Sequence, residues 1–158
     1  IYAARDDVDT DAIIPARYLN LYSPAELAAH AMEDYDASFL KKPHDIIVAG
    51  ANFGCGSSRE QPVIGLKAVG IAAVVAGSFA RIFYRSAINQ GLLLIECPEA
   101  VHASHEGDTV SLDAKNGTIM VGSKTYLFPK LPPEILAIRD AGGLLAYTRE
   151  KLKQRKKR

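Results

Sequence analysis

Ser57, Ser58 and Arg59 stand together at the end of a glycine-marked stretch, Gly50-Ala-Asn-Phe-Gly-Cys-Gly-Ser-Ser-Arg-Glu-Gln-Pro62. Two hydroxyls and a guanidinium fork match a carboxylate or a phosphate. Gly50, Gly54 and Gly56 let the backbone take positive φ and bring its N–H groups close to a ligand. A helix starting just beyond adds unpaired N–H groups and the positive end of its dipole. The same residues also fit a plainer role, because glycines serve strand-to-helix turns and paired serines serve as N-caps. The named motifs do not apply. A dinucleotide fingerprint needs glycine where Arg59 stands, and a P-loop needs Gly-Lys-Ser/Thr. A hydrolase elbow needs glycine two residues after its serine, where this chain has Arg59 or Glu60.

A second group of chemistry-bearing residues lies in Arg5-Asp-Asp-Val-Asp-Thr-Asp11. The alternating carboxylates Asp7, Asp9 and Asp11 suggest calcium, but an EF-hand loop needs glycine and glutamate where Ala12 and Tyr18 stand. A phosphatase-like Asp-x-Asp pair has nothing else to support it. Unless another segment brings a partner to Asp11, the stretch reads as a solvated turn before Ile13-Ile14-Pro15.

The elements that position these groups follow from periodicity. Asp45-Ile-Ile-Val-Ala49 is a buried strand and Val63–Val69 has helical spacing, so the glycine stretch joins strand to helix. Gly70–Ala76 is a second buried strand, Phe79–Gln90 a helix closed by Gly91, Leu92–Ile95 a third strand, and Ile1–Ala4 the end of a first one. Alternation at this spacing implies parallel pairing through right-handed crossovers. Before the glycine stretch, Ser23 is placed to cap a helix running to about His30–Asp34, with Pro24 at N1, Glu26 completing a capping box and Tyr22 stapled to Leu27. The preceding loop, Tyr18-Leu-Asn-Leu-Tyr22, is placed to present side chains to a ligand. From Gly107 the pattern turns antiparallel, with Asn116-Gly117 as a hairpin signal and Thr125–Phe128 as a further strand. Pro132-Pro133 opens a helix to Ala141, Gly142-Gly143 stop it and Leu144 begins the last one.

With 158 residues, 48% hydrophobic, the chain reads as a single α/β domain, 1–158, with a basic tail over 151–158. Nineteen Lys and Arg against 18 Asp and Glu leave no overall field that draws it to nucleic acid or to a membrane, and the tail lacks interleaved aromatics. Arg81 and Arg85, one helical turn apart, are either an anion patch or solvated arginines. Cys55 and Cys97 are too few to form a disulfide scaffold or to ligate a metal cluster unaided, and they suit a reducing cytoplasm.

Three segments taken together resemble one family. Asp9-Thr-Asp-Ala-Ile-Ile-Pro-Ala-Arg-Tyr-Leu19, Asn52-Phe-Gly-Cys-Gly-Ser-Ser-Arg-Glu60 and Ser78–Gly91 are similar to the small subunits of 3-isopropylmalate dehydratase, relatives of the last, swivelling domain of aconitase. The resemblance implies a three-layer β/β/α fold with a parallel central sheet and a small antiparallel β region. It implies a hydro-lyase that interconverts 2- and 3-isopropylmalate in leucine biosynthesis, active only with a large subunit that carries a 4Fe-4S cluster, this chain binding no metal of its own. Ser57 would be the alkoxide that takes the carbon-bound proton, Ser58 and Arg59 would bind substrate carboxylate, and Asp11 would meet a histidine of the large subunit.

Substrate choice would fall to Tyr18, Leu19, Asn20 and Leu21. Homoaconitate relatives place an arginine in that loop, whereas this chain has Asn20 and Leu21. Burying a branched alkyl group against leucine is worth about 2 kcal/mol, and an unpaired carboxylate in an apolar pocket costs more. Both terms favour isopropylmalate, although Arg17 stands just before the loop and could swing in. Homoaconitate or a methyl-substituted malate is the alternative substrate, and a non-enzymatic anion- or RNA-binding module is the alternative class. A homo-oligomer of the small subunit stays open. Gln61-Pro62 departs from the family's usual His-Ala and puts the packing of the helix start in question.

Overall fold

A computed structural model describes residues 1–42 and 44–155. Strands β1 (Tyr2–Ala3), β2 (Ile46–Ala49), β3 (Ala73–Ala76) and β4 (Leu93–Glu96) pair in that order, all parallel. Helix α3 (Gln61–Val69) returns the chain from β2 to β3, and α4 (Arg81–Gln90) returns it from β3 to β4. Both helices end on a left-handed glycine, Gly70 and Gly91, at φ 103 and 74. A residue without Cβ adopts that conformation at little cost.

Successive side chains of a strand face opposite ways, and here both faces are covered. Ile47, Ala49, Val74, Ala76 and Leu94 pack with Val63, Leu66, Phe83 and Ala87 of α3 and α4. Ile46, Val48, Ala73, Val75, Leu93 and Ile95 pack instead with Ala100, Ile119, Val121 and Phe128. That second layer contains α5 (Pro98–Ala103) and an antiparallel sheet of β5 (Val110–Asp113), β6 (Thr118–Val121) and β7 (Lys124–Leu127). The result is the expected β/β/α sandwich, with the parallel sheet in the middle. At the hairpin, the Asp113 carboxylate accepts from the N–H groups of Lys115 and Asn116 while Gly117 turns at φ 72.

Two expectations are corrected. The helix after Ser23 is only α2 (Pro24–Ala28), Ser23 makes no side-chain cap bond, and Tyr22 is 80% exposed, so neither capping box nor staple forms. The reason lies further along: Met32 sits at φ 59 and gives its N–H to Ile13 O at 2.8 Å, which takes the chain out of the helical path. The Asp-rich stretch is not merely a solvated turn, because Thr10–Ile13 form a one-turn helix, α1, with Asp9 Oδ1 accepting from Ala12 N at 2.6 Å. Near the end, α6 (Pro133–Asp140) is followed by α7 (Leu144–Arg155), so Lys151–Arg155 are helical and exposed. The rest of the basic tail, 156–158, lies outside the described residues.

Candidate functional site

The glycine stretch leaves the carboxyl end of β2 and is tied on both sides. Ala51 N donates to Asp6 Oδ1 at 2.7 Å, Asn52 N to Ser78 Oγ at 2.8 Å, Phe53 N to Ser78 O at 3.0 Å and Gly54 N to Val8 O at 2.7 Å. The loop is therefore a less open anion cradle than its glycines suggest, since these N–H groups are already used. Among the described residues, the N–H groups of Ser58 and Arg59 remain without a partner.

Gly54 sets the height of the loop. It turns at φ 78, and a Cβ there would stand 2.1 Å from Phe83 Cγ of α4. Phe83 packs edge-on against Phe53, ring centres 5.4 Å apart, so a displaced ring would disturb the loop's own anchor. We expect Gly54→Ala to cost about 3 kcal/mol by combining overpacking with left-handed strain. Gly70→Ala, equally left-handed but with open space around it, is expected to cost only about 1 kcal/mol. Urea midpoints of the two variants check the contrast.

At the loop's end four side chains meet. Arg59 Nε donates to Ser57 Oγ at 2.5 Å, and its outer nitrogen pairs with Asp11 Oδ1. Thr10 Oγ1 accepts the Ser57 N–H at 3.0 Å and lies 3.3 Å from Ser57 Oγ. The serines are not caps, because Glu60 occupies the N-cap of α3 and makes no side-chain bond there. Ser57 is half-buried and Ser58 exposed; the side chain of Arg59 is 20% exposed against 59% for Asp11. The guanidinium is thus fixed on two sides, while Asp11 keeps much of its surface free.

Thr10 is the residue that sequence reasoning passed over. Its neighbours Asp9 and Asp11 are exposed while Thr10 is 2% exposed, a difference that only the fold reveals.

The loop expected to select substrate begins as a 3-10 turn, Ala16–Tyr18. Gln61 Nε2 reaches Leu19 O at 3.4 Å, which fastens the loop to the start of α3. Pro62 is buried in the first turn of α3, where a missing N–H costs nothing. The Gln61-Pro62 departure is accommodated without disturbing the helix. Tyr18 stacks on His30 with ring centres 3.6 Å apart; Leu19 and Leu21 are half-buried and Asn20 is exposed. None of the four side chains makes a hydrogen bond with the Ser57 group among the described residues.

Arg17 lies over the ring of Tyr18, its guanidinium carbon 4.8 Å from the ring centre, with its nitrogens turned to acidic groups. It forms a fork on Asp34, at 2.6 and 2.7 Å, and pairs with Glu33. The Asp34 carboxylate pushes the Arg17 guanidinium further above its ordinary range, and Arg17 in turn draws Asp34 below its own.

Cys55 is half-buried, and burial with the nearby Asp9 and Asp7 carboxylates pushes its thiol up. A thiol held protonated is a poor ligand and a poor nucleophile. Cys97 is buried and likewise pushed up by burial. Among the described residues no group of three or more His, Cys, Asp or Glu side chains is placed to hold a metal ion, and no helix is long and apolar enough to cross a membrane. Arg81 and Arg85 are exposed and line an open cavity of about 460 Å³ with Phe79, Tyr84, Glu96 and Phe128.

Comparison with known proteins places this geometry in context. Residues 17–100 match the family described as the aconitase C-terminal domain. A 3-isopropylmalate dehydratase small subunit from Heliobacterium modesticaldum is 54% identical, over 95% of this chain and 93% of that protein. One from Hydrogenobaculum is 50% identical, over 96% and 95%. A crystal structure of a 3-isopropylmalate dehydratase from Methanocaldococcus jannaschii superposes with a TM-score of 0.90 at 47% identity, covering 99% of this chain and 96% of that one.

Proposed function

We infer, because this chain belongs to the family of 3-isopropylmalate dehydratase small subunits, that it supplies the proton-abstracting half of an active site shared with a large subunit. The reaction is the interconversion of 2- and 3-isopropylmalate in leucine biosynthesis, by loss of water across neighbouring carbons and its return. The observation that carries the assignment of Ser57 is the pair of bonds at its oxygen, Arg59 Nε at 2.5 Å and Thr10 Oγ1 at 3.3 Å.

A serine hydroxyl is a weak base until its anion is stabilised. Arg59 provides a fixed positive charge against Oγ, and the dipole of α3 adds to it. As an alkoxide, Ser57 takes the carbon-bound proton; the C–H electron pair becomes the double bond, and the neighbouring hydroxyl leaves as water on taking a proton from an acidic group of the large subunit. A 4Fe-4S cluster on the large subunit would supply Lewis-acid binding of that hydroxyl and of one carboxylate. This chain has only two cysteines, one half-buried and one buried, so the thiolates a cluster needs are the partner's to give. The free N–H groups of Ser58 and Arg59, with the Ser58 hydroxyl, orient a substrate carboxylate. Asp11 restrains Arg59, and its exposed face meets the large-subunit histidine.

The Tyr18–Leu21 loop discriminates among substrates. With Arg17 clamped on Asp34 and Glu33, no arginine is available there to pair an extra carboxylate, while Leu19 and Leu21 offer apolar surface. The test is a substrate panel on the enzyme reconstituted anaerobically with a cluster-bearing large subunit. We expect kcat/KM for 3-isopropylmalate to exceed that for homoisocitrate by a factor on the order of 10² or more, because a buried unpaired carboxylate is costly. Leu21→Arg is expected to narrow or reverse the ratio. A wild-type preference for homoisocitrate would overturn the loop assignment and leave the base assignment standing.

A further inference from the structure

We propose that Thr10 is a further catalytic residue: its hydroxyl, together with Arg59 Nε, holds Ser57 Oγ in the anionic form. The proposal rests on the reading of Ser57 as the base. Thr10 and Ser86 are the only buried polar residues among those described, and nothing in the folding of α1 requires a hydroxyl at position 10, since Asp9 already caps that turn.

Three contacts fix where the Thr10 hydroxyl points. Its backbone N donates to Cys55 O at 2.8 Å, which ties α1 to the loop. Its Oγ1 accepts the Ser57 N–H at 3.0 Å, so one lone pair of the oxygen is engaged by the residue it serves. Ser57 Oγ, 3.3 Å away, is the acceptor that remains for the Thr10 proton among the described residues. Gly56 makes the approach possible: it turns at φ 102, and a Cβ there would stand 2.9 Å from Thr10 Oγ1.

The consequence is electrostatic. Neutral Ser57 and Thr10 can each donate to the other, but an alkoxide can only accept. Once Ser57 loses its proton, Thr10 O–H and Arg59 N–H both point at the charge, and a hydrogen bond to the charged form favours that form. Thr10 is buried, where such a bond is stronger than in water, and the Ser57 N–H that it accepts holds the hydroxyl in place. The reaction needs no new component, because the Thr10 proton stays on its own oxygen throughout.

Two readouts test this, one of them without turnover. In the isolated chain carrying Ser57→Cys in a Cys55→Ala background, the pH dependence of alkylation reports thiol ionisation at position 57. We expect that thiol to titrate below the usual value of about 8.5, Thr10→Val to raise it by about one unit, and Thr10→Ser to leave it low. In the reconstituted enzyme, Thr10→Val is expected to lower kcat by roughly 10²-fold with little change in KM, and to move the ascending, low-pH limb of the kcat profile, which reports ionisation of the base, to higher pH. Thr10→Ser restores both; Thr10→Ala replaces Thr10→Val if the valine variant fails to fold. Identical thiol ionisation with threonine and valine, or a lowered kcat whose pH profile stays in place, would overturn the role. Full turnover by Ser57→Ala would instead remove the base assignment beneath it, and the two failures are told apart by which variant shows them.

Discussion

Replacing Ser57 with alanine is expected to lower kcat of the reconstituted enzyme by roughly 10³- to 10⁴-fold, the upper part of the roughly 10²- to 10⁴-fold contribution usual for a positioned general base. That corresponds to about 4 to 5 kcal/mol of transition-state stabilisation. KM should change little if, as proposed, carboxylate binding falls to Ser58, Arg59 and the large subunit. Folding should change little as well, since Ser57 is half-buried and lies in a loop anchored elsewhere, by Asp6, Ser78 and Val8. Steady-state kinetics with a thermal melt as control separate these quantities. A kcat within about tenfold of wild type would mean that another group takes the proton.

Arg59→Lys is the second large effect, and it tests geometry more than charge. The guanidinium reaches two groups at once, with Nε on Ser57 and an outer nitrogen on Asp11. An ammonium keeps the charge but lacks the fork, and it cannot present both donors in those directions. We expect kcat to fall by roughly 10²- to 10³-fold, as when one preorganised donor to an oxyanion is removed. KM should rise as well if, as proposed, Arg59 also binds a substrate carboxylate. Asp11→Asn should cost less than Arg59→Lys, because it keeps an oxygen facing the guanidinium. If Arg59→Lys were the milder variant, the restraint of Arg59 by Asp11 would not be part of the mechanism.

Much of this was legible in the residue pattern, for identifiable reasons. β2, β3 and β4 are short apolar runs between turn residues, and strands buried on both faces must look like that. The residues of the Ser57–Arg59 group were legible from their chemistry, as was the change to an antiparallel pattern beyond Gly107. The failures share one cause, which is contact between segments distant in sequence. The local signals at Ser23, Pro24 and Glu26 describe a good helix start, yet the helix stops at Ala28 because Met32 turns to bond Ile13. Asp7, Asp9 and Asp11 looked like one cluster, but each serves a different partner: Asp7 takes Asn52 Nδ2 at 2.7 Å, Asp9 caps α1, and Asp11 takes Arg59. Thr10 went unnoticed because a threonine between aspartates carries no chemical signal until the fold brings Ser57 beside it. Arg17 was open in the sequence for the same reason, since its clamp on Asp34 spans 17 residues.

The most direct measurement of the shared active site is a titration of this chain with a cluster-loaded large subunit under anaerobic conditions, following formation of the unsaturated acid from 3-isopropylmalate. Either subunit alone should give no turnover, and the rate should climb with added partner to a plateau at equimolar ratio. Turnover by this chain alone, or a rate indifferent to its presence, would contradict the division of labour in which Ser57 supplies the base and the partner supplies the cluster.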